Sequence, residues 1–412
     1  MASSRQNAPR HRSFARRTVA VIGLGALAAS LTSCKATPDQ DVFYTAPGSA
    51  PSAGDVIRSR PEVFTTDPFL NTPDAGVKSF GVIYQSQTAT NAPVAVSGTI
   101  LVPTAAWAGG GARPLITFGV GTRGIGDACA PSYTLSTGTD YEGTFIKTAL
   151  DKGWAVAVSD MQGLGTPGQH TYEVGKSQGK ALLDIARAAE RLPGTGLDAN
   201  TPVGIWGYSQ GGTSAGWAAE LAPTYAPDLK VKGVAAGGVP ADLIAVARGL
   251  DGSATMALAL LAAIGFDAAY PELNLQSYLN ADGKKLYEDS KNVCLVSLGG
   301  FSAIGGTAFK HLTDFTTSDP LATAAWQNRL NENKLGGGKP TVPVFQYHGQ
   351  SDTLVAYAQA DTLHKAWCAK GVNLTWKSIP LADHILGTVL GMGDAVNFLD
   401  ARFKGQPVAP SC

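Results

Sequence analysis

The sequence has no excess of charge of either sign. Its 412 residues include 32 Lys and Arg and 32 Asp and Glu, so the formal net charge at pH 7 is zero. Proteins that bind nucleic acid through its phosphates carry a basic stripe or patch instead. We therefore expect no nucleic-acid partner.

Cysteine is scarce, and no apolar run is long enough to span a membrane comfortably. The five cysteines form no C-x-x-C pair, the spacing typical of zinc sites and of thiol redox sites. The apolar run TVAVIGLGALAASLTS near the N-terminus extends over about 15 residues, fewer than a membrane-spanning helix needs. The sequence thus predicts no metal site, no cofactor and no transmembrane segment.

The N-terminus has the pattern of an export signal. Arginines, including the pair Arg16-Arg17, precede the apolar run, which ends at Leu31-Thr-Ser-Cys34. This ending resembles a bacterial lipobox, in which the cysteine is lipidated and becomes the mature N-terminus; the alternative is ordinary cleavage nearby. We predict a signal peptide over 1–33 and an exported protein, extracellular or held at the cell surface through Cys34. The paired arginines also resemble a twin-arginine signal, which leaves the export route open.

The segment that follows the signal is small and polar in composition. Residues 34–54 are rich in Ala, Pro, Ser and Gly, which predicts a flexible tether. Four cysteines remain beyond this segment, and an exported protein favours their pairing into two disulfides. Four cysteines allow three pairings, and the spacing does not choose among them.

The rest of the chain alternates between strand and helix patterns. Residues 77–103 contain two alternating runs around a polar turn, which predicts an antiparallel hairpin. From residue 114 short apolar runs alternate with helical stretches, which predicts βαβ units and a mostly parallel sheet flanked by helices. No internal repeat is apparent.

One long segment, 241–335, interrupts this alternation with apolar, helix-prone sequence. We predict an α/β core over 55–240 and 336–412, with 241–335 as a helical cap inserted late in the sheet. Ligands bind at the carboxyl edge of open α/β sheets, so we expect the cap to cover that edge. The alternative is a second domain without a role at the site.

Three serines lie in the pattern G-x-S-x-G, which is typical of a serine nucleophile: Ser177, Ser209 and Ser214. With 49 glycines in the chain the pentapeptide alone is weak evidence. A nucleophile elbow, a sharp turn from a strand into a helix, needs a strand before the serine and a helix after it. Only Ser209 has both, in TPVGIW and QGGTSAGWAAEL. Ser214 lies within that helix, and Ser177 follows a loop, where we expect it to cap a helix.

A nucleophilic serine needs a histidine base and an acid, which follow it in the order acid, histidine in α/β-hydrolases. VPVFQYHGQSD places Asp352 after the next-to-last strand, and LTWKSIPLADHILG places His384 after the last. His348 ends a strand, where we expect a structural role. Asp383 is adjacent to His384, so its side chain is expected to point away from the imidazole.

The reaction also needs donors for the developing oxyanion. One expected donor is the backbone N–H of Gln210, the residue after the nucleophile. The second is expected from the loop after the strand PLITFGV, at Gly121 or Thr122. The alternative for this loop is a glycine-rich turn without a ligand.

Longer segments of the chain resemble the secretory lipase family, α/β-hydrolases that include the fungal lipase A type and bacterial secreted members. The resemblance extends over roughly 55–405 and rests on GTRGIGDACAPS, DMQGLGTPGQHTYEVGKSQGKALLD, GIWGYSQGGTSAGWAAELAPTYAPDL and YHGQSDTLV. It implies an α/β-hydrolase fold with a helical cap and a triad of Ser209, Asp352 and His384. It also implies disulfides between Cys129 and Cys294 and between Cys368 and Cys412. Bacterial relatives often have His-Gly-Thr where this chain has Val120-Gly-Thr.

The function expected from these patterns is that of a serine ester hydrolase, a lipase or carboxylesterase. Acylglycerols or related carboxylic esters are its expected substrates, hydrolysed through an acyl-enzyme intermediate. Two alternatives stay open at this point. One is an acyltransferase that uses the same triad, and the other is a catalytically inactive surface lipoprotein that binds lipid. Acyl chain length and oligomeric state do not follow from the sequence.

Overall fold

The computed structural model describes residues 35–412, except for the side chains of five residues in one helix, Leu298, Gly299, Phe301, Ala303 and Ile304. The predicted signal peptide, 1–33, and Cys34 lie outside the described residues. Contacts group residues 36–412 into one unit. Across the described part of the chain, no helix is long and apolar enough to cross a membrane.

A nine-stranded sheet runs through the centre of this unit, in the order β1-β2-β3-β5-β4-β6-β7-β8-β9. The strands are β1 Val56–Glu62, β2 Val77–Gln87, β3 Pro93–Pro103, β4 Leu115–Gly119, β5 Ala155–Ser159, β6 Pro202–Tyr208, β7 Lys230–Gly237, β8 Val344–Gly349 and β9 Leu374–Ile379. The pairs β1–β2, β2–β3 and β3–β5 are antiparallel, and the other neighbours are parallel. The hairpin predicted at 77–103 is confirmed as β2 and β3. The edge strand β1 was not predicted, because its half-buried residues form no apolar run.

Helices cover both faces of the sheet. They are α1 Val42–Thr45, α2 Pro131–Thr134, α3 Gly143–Asp151, α4 Gly175–Arg191, α5 Gln210–Tyr225, α6 Leu243–Leu250, α7 Ala257–Ala269, α8 Ala281–Ser290, α9 Leu298–Thr307, α10 Leu312–Phe315, α11 Ala324–Glu332, α12 Tyr357–Ala369 and α13 His384–Phe403. One core, with residues of α4, α5 and α12, lies on one face; a second, with residues of α3 and α13, lies on the other. The central strands β4 and β5 are buried throughout, as a sheet covered on both faces requires.

The segment between β7 and β8 is helical and has an apolar core of its own. Helices α6 to α11 belong to it, and Ile264, Phe266 and Trp326 are buried at its centre. Leu335 N–H donates to Ala241 O at 3.0 Å. The segment 241–335 therefore leaves the core and returns to it at the same place.

This helical segment approaches the core most closely at Gly265 in α7. A Cβ atom at this position would lie 2.4 Å from both the backbone nitrogen and the backbone oxygen of Tyr172. Only glycine, which has no Cβ, allows the helix backbone to approach the loop backbone this closely. The close approach ties α7 to the segment that precedes α4.

The described part of residues 34–54 is folded, where the composition predicted a flexible tether. Pro38–Gln40 form a 3-10 helix, and α1 follows directly. Phe43 and Tyr44 pack against Ile83 of β2, and Tyr44 Oη lies 2.8 Å from Ser132 Oγ. The small and polar residues dominate the average composition, but Phe43 and Tyr44 help to hold the segment on the sheet.

Two disulfides link distant parts of the chain. Cys129 is joined to Cys294, which connects a core loop to the helical segment 241–335. Cys368 of α12 is joined to Cys412 at the C-terminus. This is the pairing that the resemblance to secretory lipases implies.

Candidate active site

Ser209 lies at the sharp turn between β6 and α5. Its backbone angles, φ 58° and ψ −124°, fall in a region that residues other than glycine rarely adopt. Its N–H donates to Gly237 O at 3.0 Å, which holds the turn against β7. The strand, the strained turn and the helix have the geometry of the nucleophile elbow that the sequence predicts at Ser209.

The two glycines that flank Ser209 in G-x-S-x-G are required by close backbone packing. A Cβ at Gly207 would lie 2.2 Å from Gly211 O, and a Cβ at Gly211 would lie 1.9 Å from Gly119 O. Any side chain at either position would push the turn away from the neighbouring backbone. The motif therefore reflects the steric demands of this turn as well as its chemistry.

His384 lies between Ser209 and Asp352. Its Nδ1 is 2.6 Å from Asp352 Oδ2, and its Nε2 is 2.9 Å from Ser209 Oγ. A carboxylate only accepts hydrogen bonds, so this contact assigns the ring proton to Nδ1. Nε2 is then free to accept the proton of the serine hydroxyl, as in a serine–histidine–acid triad.

Two neighbours hold His384 in place at the start of α13. Asp383 caps this helix, because its Oδ1 accepts the N–H of Leu386 at 2.8 Å. Its side chain is thus engaged with the helix, consistent with the expectation that it points away from the imidazole. Tyr208 Oη donates to His384 O at 2.8 Å, so the residue before Ser209 fixes the backbone of the histidine.

Asp352 is buried and surrounded by donors. Its Oδ1 accepts the N–H groups of Leu354 (3.0 Å) and Val355 (2.8 Å). Burial alone would raise the pKa of Asp352, but hydrogen bonds from His348 and His384 outweigh it and hold the pKa well below its usual range. The carboxylate is therefore charged throughout the neutral pH range.

His348 contacts the same carboxylate, which the sequence did not reveal. Its Nε2 lies 3.2 Å from Asp352 Oδ2 and 2.8 Å from Val355 O. Both partners are acceptors, so Nε2 carries a proton and shares it between them. Nδ1 is buried without a hydrogen-bond partner in the described part of the chain. The available signal was the H-x-x-x-D spacing at the end of β8.

The other two G-x-S-x-G serines are far less accessible for catalysis. Ser214 is fully buried in α5, with Oγ 2.9 Å from both Gln178 Oε1 and Gln210 O. Ser177 lies inside α4 and donates to Gln162 Oε1 at 2.7 Å. The expectation that Ser177 caps this helix is wrong, because the helix begins two residues earlier, at Gly175.

The expected oxyanion donors need one correction. The N–H of Gly121 donates to Glu142 Oε2 at 2.9 Å, and Arg123 pairs with the same carboxylate at 2.9 Å. The amide of Gly121 is thus already engaged. No acceptor within residues 35–412 receives the amide of Thr122 or that of Gln210. Gln210 N–H lies at the first position of α5, where the positive end of the helix dipole favours an anion.

A cavity of about 270 Å³ opens beside the three residues. Ser209, His384 and Thr122 border it. Its wall is largely apolar, and most of the aliphatic and aromatic hydrocarbon lining comes from the segment 241–335, including Leu243, Val246, Leu250, Leu258, Phe266 and Trp326. Other polar residues also border the cavity, among them Glu142 and Glu173, and both of these are buried. Sequence reasoning missed Glu173, because nothing in its local pattern distinguishes it from a loop residue.

Comparisons with known proteins show which family the chain is similar to. A sequence model described as secretory lipase matches residues 129–410. The chain is 30% identical over 386 residues to a probable inactive lipase of Mycobacterium tuberculosis, with 90% of this chain and 83% of that protein covered. It is 29% identical over 396 residues to a secreted triacylglycerol lipase of Malassezia furfur, covering 91% and 78% respectively.

The fold is similar to that of a solved lipase. Candida antarctica lipase A in its closed state superposes with a TM-score of 0.78 at 25% identity, over 91% of this chain and 88% of that structure. A rice cell wall degrading esterase of Xanthomonas oryzae, 18% identical with a TM-score of 0.67, shares the fold. These likenesses confirm the α/β-hydrolase fold expected from the order of strands and helices.

Proposed function

The chain belongs to the secretory lipase family, a family of ester hydrolases. We therefore propose that it is an active serine ester hydrolase. Ser209 is the proposed nucleophile, His384 the base and Asp352 the acid that orients the base. The observation that carries the proposal is the continuous chain of contacts from Ser209 Oγ to His384 (2.9 Å) and from His384 to Asp352 (2.6 Å).

The proposed mechanism is acyl transfer through a covalent intermediate. His384 Nε2 takes the proton of Ser209 while Oγ attacks the ester carbonyl, and Asp352 stabilises the imidazolium that forms. The N–H groups of Gln210 and Thr122 stabilise the oxyanion, and each such donor typically contributes about 10²–10³ in rate. His384 then returns the proton to the leaving alcohol, and water releases the acyl group by the same steps in reverse.

The proposed substrates are acylglycerols or related carboxylic esters. The apolar cavity beside Ser209 suits an acyl chain, since burial of apolar surface favours its binding. A relative of the chain is described as a secreted triacylglycerol lipase, which supports the same substrate class.

The test is Ser209→Ala with Ser214→Ala as its matched control. We expect Ser209→Ala to reduce kcat on nitrophenyl esters by at least about 10⁴-fold, because the nucleophile is lost. Ser214→Ala should retain most of the activity, since its hydroxyl bonds only to Gln178 of α4 and to the backbone of Gln210, and Ser214 does not border the cavity. Rates against acyl chain length, on soluble and on emulsified esters, separate an esterase from a lipase. Undiminished rates in Ser209→Ala would refute the mechanism.

A second candidate is an inactive lipid-binding protein, because one relative is described as a probable inactive lipase. Labelling by a fluorophosphonate probe separates the two. An active enzyme is labelled at Ser209 and not in Ser209→Ala, whereas an inactive protein is labelled in neither. Acyl transfer to an alcohol would use the same triad, and product analysis with and without added alcohol detects it.

We further propose that the protein is exported and carries lipid on Cys34. The support is the Leu31–Cys34 motif after a basic and apolar segment, together with relatives described as secreted. Mass spectrometry of the mature N-terminal peptide should find a lipidated Cys34, and Cys34→Ser should release the protein into the medium. An unmodified mature N-terminus would refute the anchor but not the export.

A further inference from the structure

Besides Glu142, which is paired with Arg123, one more carboxyl group borders the largely apolar cavity, that of Glu173. The residue is 4% exposed and borders the cavity together with Ser209 and His384. Its Oε2 accepts a hydrogen bond from Thr213 Oγ1 at 2.8 Å. Among residues 35–412 no group donates to Oε1, and no cation pairs with the carboxyl. The proposed mechanism assigns this carboxyl no role.

The backbone around Glu173 is held in an uncommon conformation. Its φ is 60°, in the left-handed region that residues other than glycine rarely adopt. The residue before it is fixed twice: Tyr172 Oη lies 2.8 Å from Thr122 Oγ1, and its backbone packs on Gly265. Glu173 therefore has a strained backbone conformation that glycine would adopt with less strain.

The position of Thr213 relates this carboxyl to the reacting atoms. Thr213 follows Ser209 by four residues, and its N–H donates to Ser209 O at 3.0 Å. Residues four apart lie on the same face of a helix, separated by about 6 Å of axial rise. Glu173 is thus held about one helical turn from the nucleophile. A substituent a few bonds away from the scissile carbonyl spans that distance.

We propose that Oε1 of Glu173 accepts a hydrogen bond from a hydroxyl group of the substrate, so that the site selects esters with a free hydroxyl near the scissile carbonyl. The inference rests on the proposed function of Ser209. The hydroxyl belongs either to the alcohol portion, as in a partial acylglycerol, or to the acyl portion, as in a 3-hydroxyacyl ester. Both sources offer the same donor to the same acceptor.

The physical reason is the cost of an unsatisfied buried polar group. A substrate without a hydroxyl displaces water from the carboxyl and donates no hydrogen bond to it. Sites built to bond a substrate hydroxyl therefore discriminate strongly against analogues that lack it. Burial raises the pKa of Glu173 to about 7, and both the neutral and the charged carboxyl accept a hydroxyl donor.

The experiment measures binding without turnover, in the Ser209→Ala background. Calorimetry compares three probes of one acyl length: methyl octanoate, methyl 3-hydroxyoctanoate and 1-monooctanoylglycerol. We expect one of the hydroxylated probes to bind roughly tenfold more tightly than methyl octanoate, the gain from one buried hydrogen bond. Which of the two shows the gain identifies the source of the hydroxyl.

Two substitutions assign the preference to Glu173. Glu173→Leu should abolish the advantage of the hydroxylated probe, and Glu173→Gln, which keeps the shape and an acceptor, should retain part of it. The matched control is Glu190→Leu, because burial also raises the pKa of Glu190 to about 7 although this residue in α4 does not border the cavity. That control should leave the preference unchanged. Melting temperatures verify that each variant is folded.

The outcomes separate this inference from the proposed function. Equal affinities for the three probes, no binding of any probe, or a preference that survives Glu173→Leu would each overturn the role of Glu173. Hydrolysis of the probes by the Ser209→Ala protein would instead overturn the proposed nucleophile, and it would be visible as free octanoate.

Discussion

Two buried carboxyls in the same site have opposite properties. Asp352 receives backbone N–H groups and two histidines, and the pKa of this residue lies well below its usual range. Glu173 is buried as well, but a single threonine hydroxyl donates to it, and burial raises its pKa to about 7. The number of donors around each carboxyl decides which effect dominates. The carboxylate of Asp352 is therefore suited to stabilise a cation, and the carboxyl of Glu173 is suited to form a hydrogen bond with a neutral polar group.

The raised pKa of Glu173 predicts a pH-dependent contribution to stability. Between pH 4.5 and about 7 the folded state keeps a proton that the unfolded state releases, so this contribution is lost as pH rises through that window. Glu173→Gln removes the titration. Relative to wild type, the variant should gain free energy of unfolding from pH 5 to pH 8, by at most about 3 kcal/mol. Urea unfolding at intervals of one pH unit measures the free energy of unfolding of both proteins. A constant difference between the two proteins from pH 5 to pH 8 would contradict the prediction.

His348 is predicted to be a positioning residue that acts through Asp352. His348→Phe removes one donor from the carboxylate, so kcat should fall about tenfold with little change in KM, because the loss of a donor to a charged acceptor is costly. The pKa of Asp352 should rise, and activity should be lost at a higher pH on the acid side. The measurement is kcat and KM from pH 3 to 8.

The control for His348 is His364→Phe. His364 stacks on Trp376 at 4.9 Å and has no contact with the triad, so its variant should keep the wild-type profile. If His348→Phe lowered only the melting temperature and left the pH profile and kcat intact, its role would be structural, as the sequence suggested.

At the scale of the elements, the contact of α7 with the loop before α4 organises the site. This loop connects to Thr122 through Tyr172 and to α5 through the Glu173–Thr213 hydrogen bond. Its backbone also receives α7 at Gly265. One short segment thus contacts the loop of Thr122, helix α5 and the helical segment 241–335.

Gly265→Ala is expected to disturb this junction. The new Cβ would meet backbone atoms of Tyr172 at 2.4 Å, and backbone yields less readily than a side chain. We expect a loss of stability of about 1–3 kcal/mol, the usual cost of overpacking, together with reduced ester hydrolysis. Gly249→Ala is the matched control, since nothing lies within 4 Å of a Cβ there. Calorimetric melting and activity assays of both variants test the difference, and equal behaviour would contradict it.

At the scale of the whole molecule, the folded body extends further towards the N-terminus than the composition indicates. Tyr44 is 1% exposed, packs with Ile83 and lies beside Ser132, whereas Val42 on the same short helix is 71% exposed. The segment between the proposed lipidation site and β1 therefore belongs to the fold from Pro38 onward.

Tyr44→Ala tests this extension of the body. The loss of a large buried aromatic side chain should lower the free energy of unfolding by about 3–5 kcal/mol. Val42→Ala, at an exposed position of the same helix, should stay within about 0.5 kcal/mol of wild type. Denaturant unfolding measures both, and a wild-type midpoint for Tyr44→Ala would mean that the segment behaves as the flexible tether that the composition predicted.

The three residues of the predicted triad were chosen from local signals. A strand before Ser209, a helix after it, and an acid and a histidine after the last two strands can each be identified within about ten residues. The carboxyl ends of parallel strands meet at one edge of the sheet, so order along the chain becomes proximity in space. The structure brings these residues within hydrogen-bond distance of one another.

The sequence-based predictions that were wrong or missing concern residues whose hydrogen-bond partners are distant in the sequence. Gly121 was expected to donate to an oxyanion, but its amide is engaged by Glu142, 21 residues away. Tyr44 is held by Ser132, 88 residues away, and Glu173 by Thr213, 40 residues away. No local pattern contains such pairs.

The sequence by itself determined the type of sheet, the elbow at Ser209 and the identity of its expected partners, because hydrophobic periodicity, glycine at a crowded turn and chain order act over short distances. Only the tertiary structure decided which amides are free to bind an oxyanion, that His348 shares the carboxylate of Asp352, and that Glu173 borders the cavity with one oxygen that accepts no hydrogen bond from the described part of the chain. These properties depend on burial and on the distances between side chains from separate elements, and both arise only when the chain is packed.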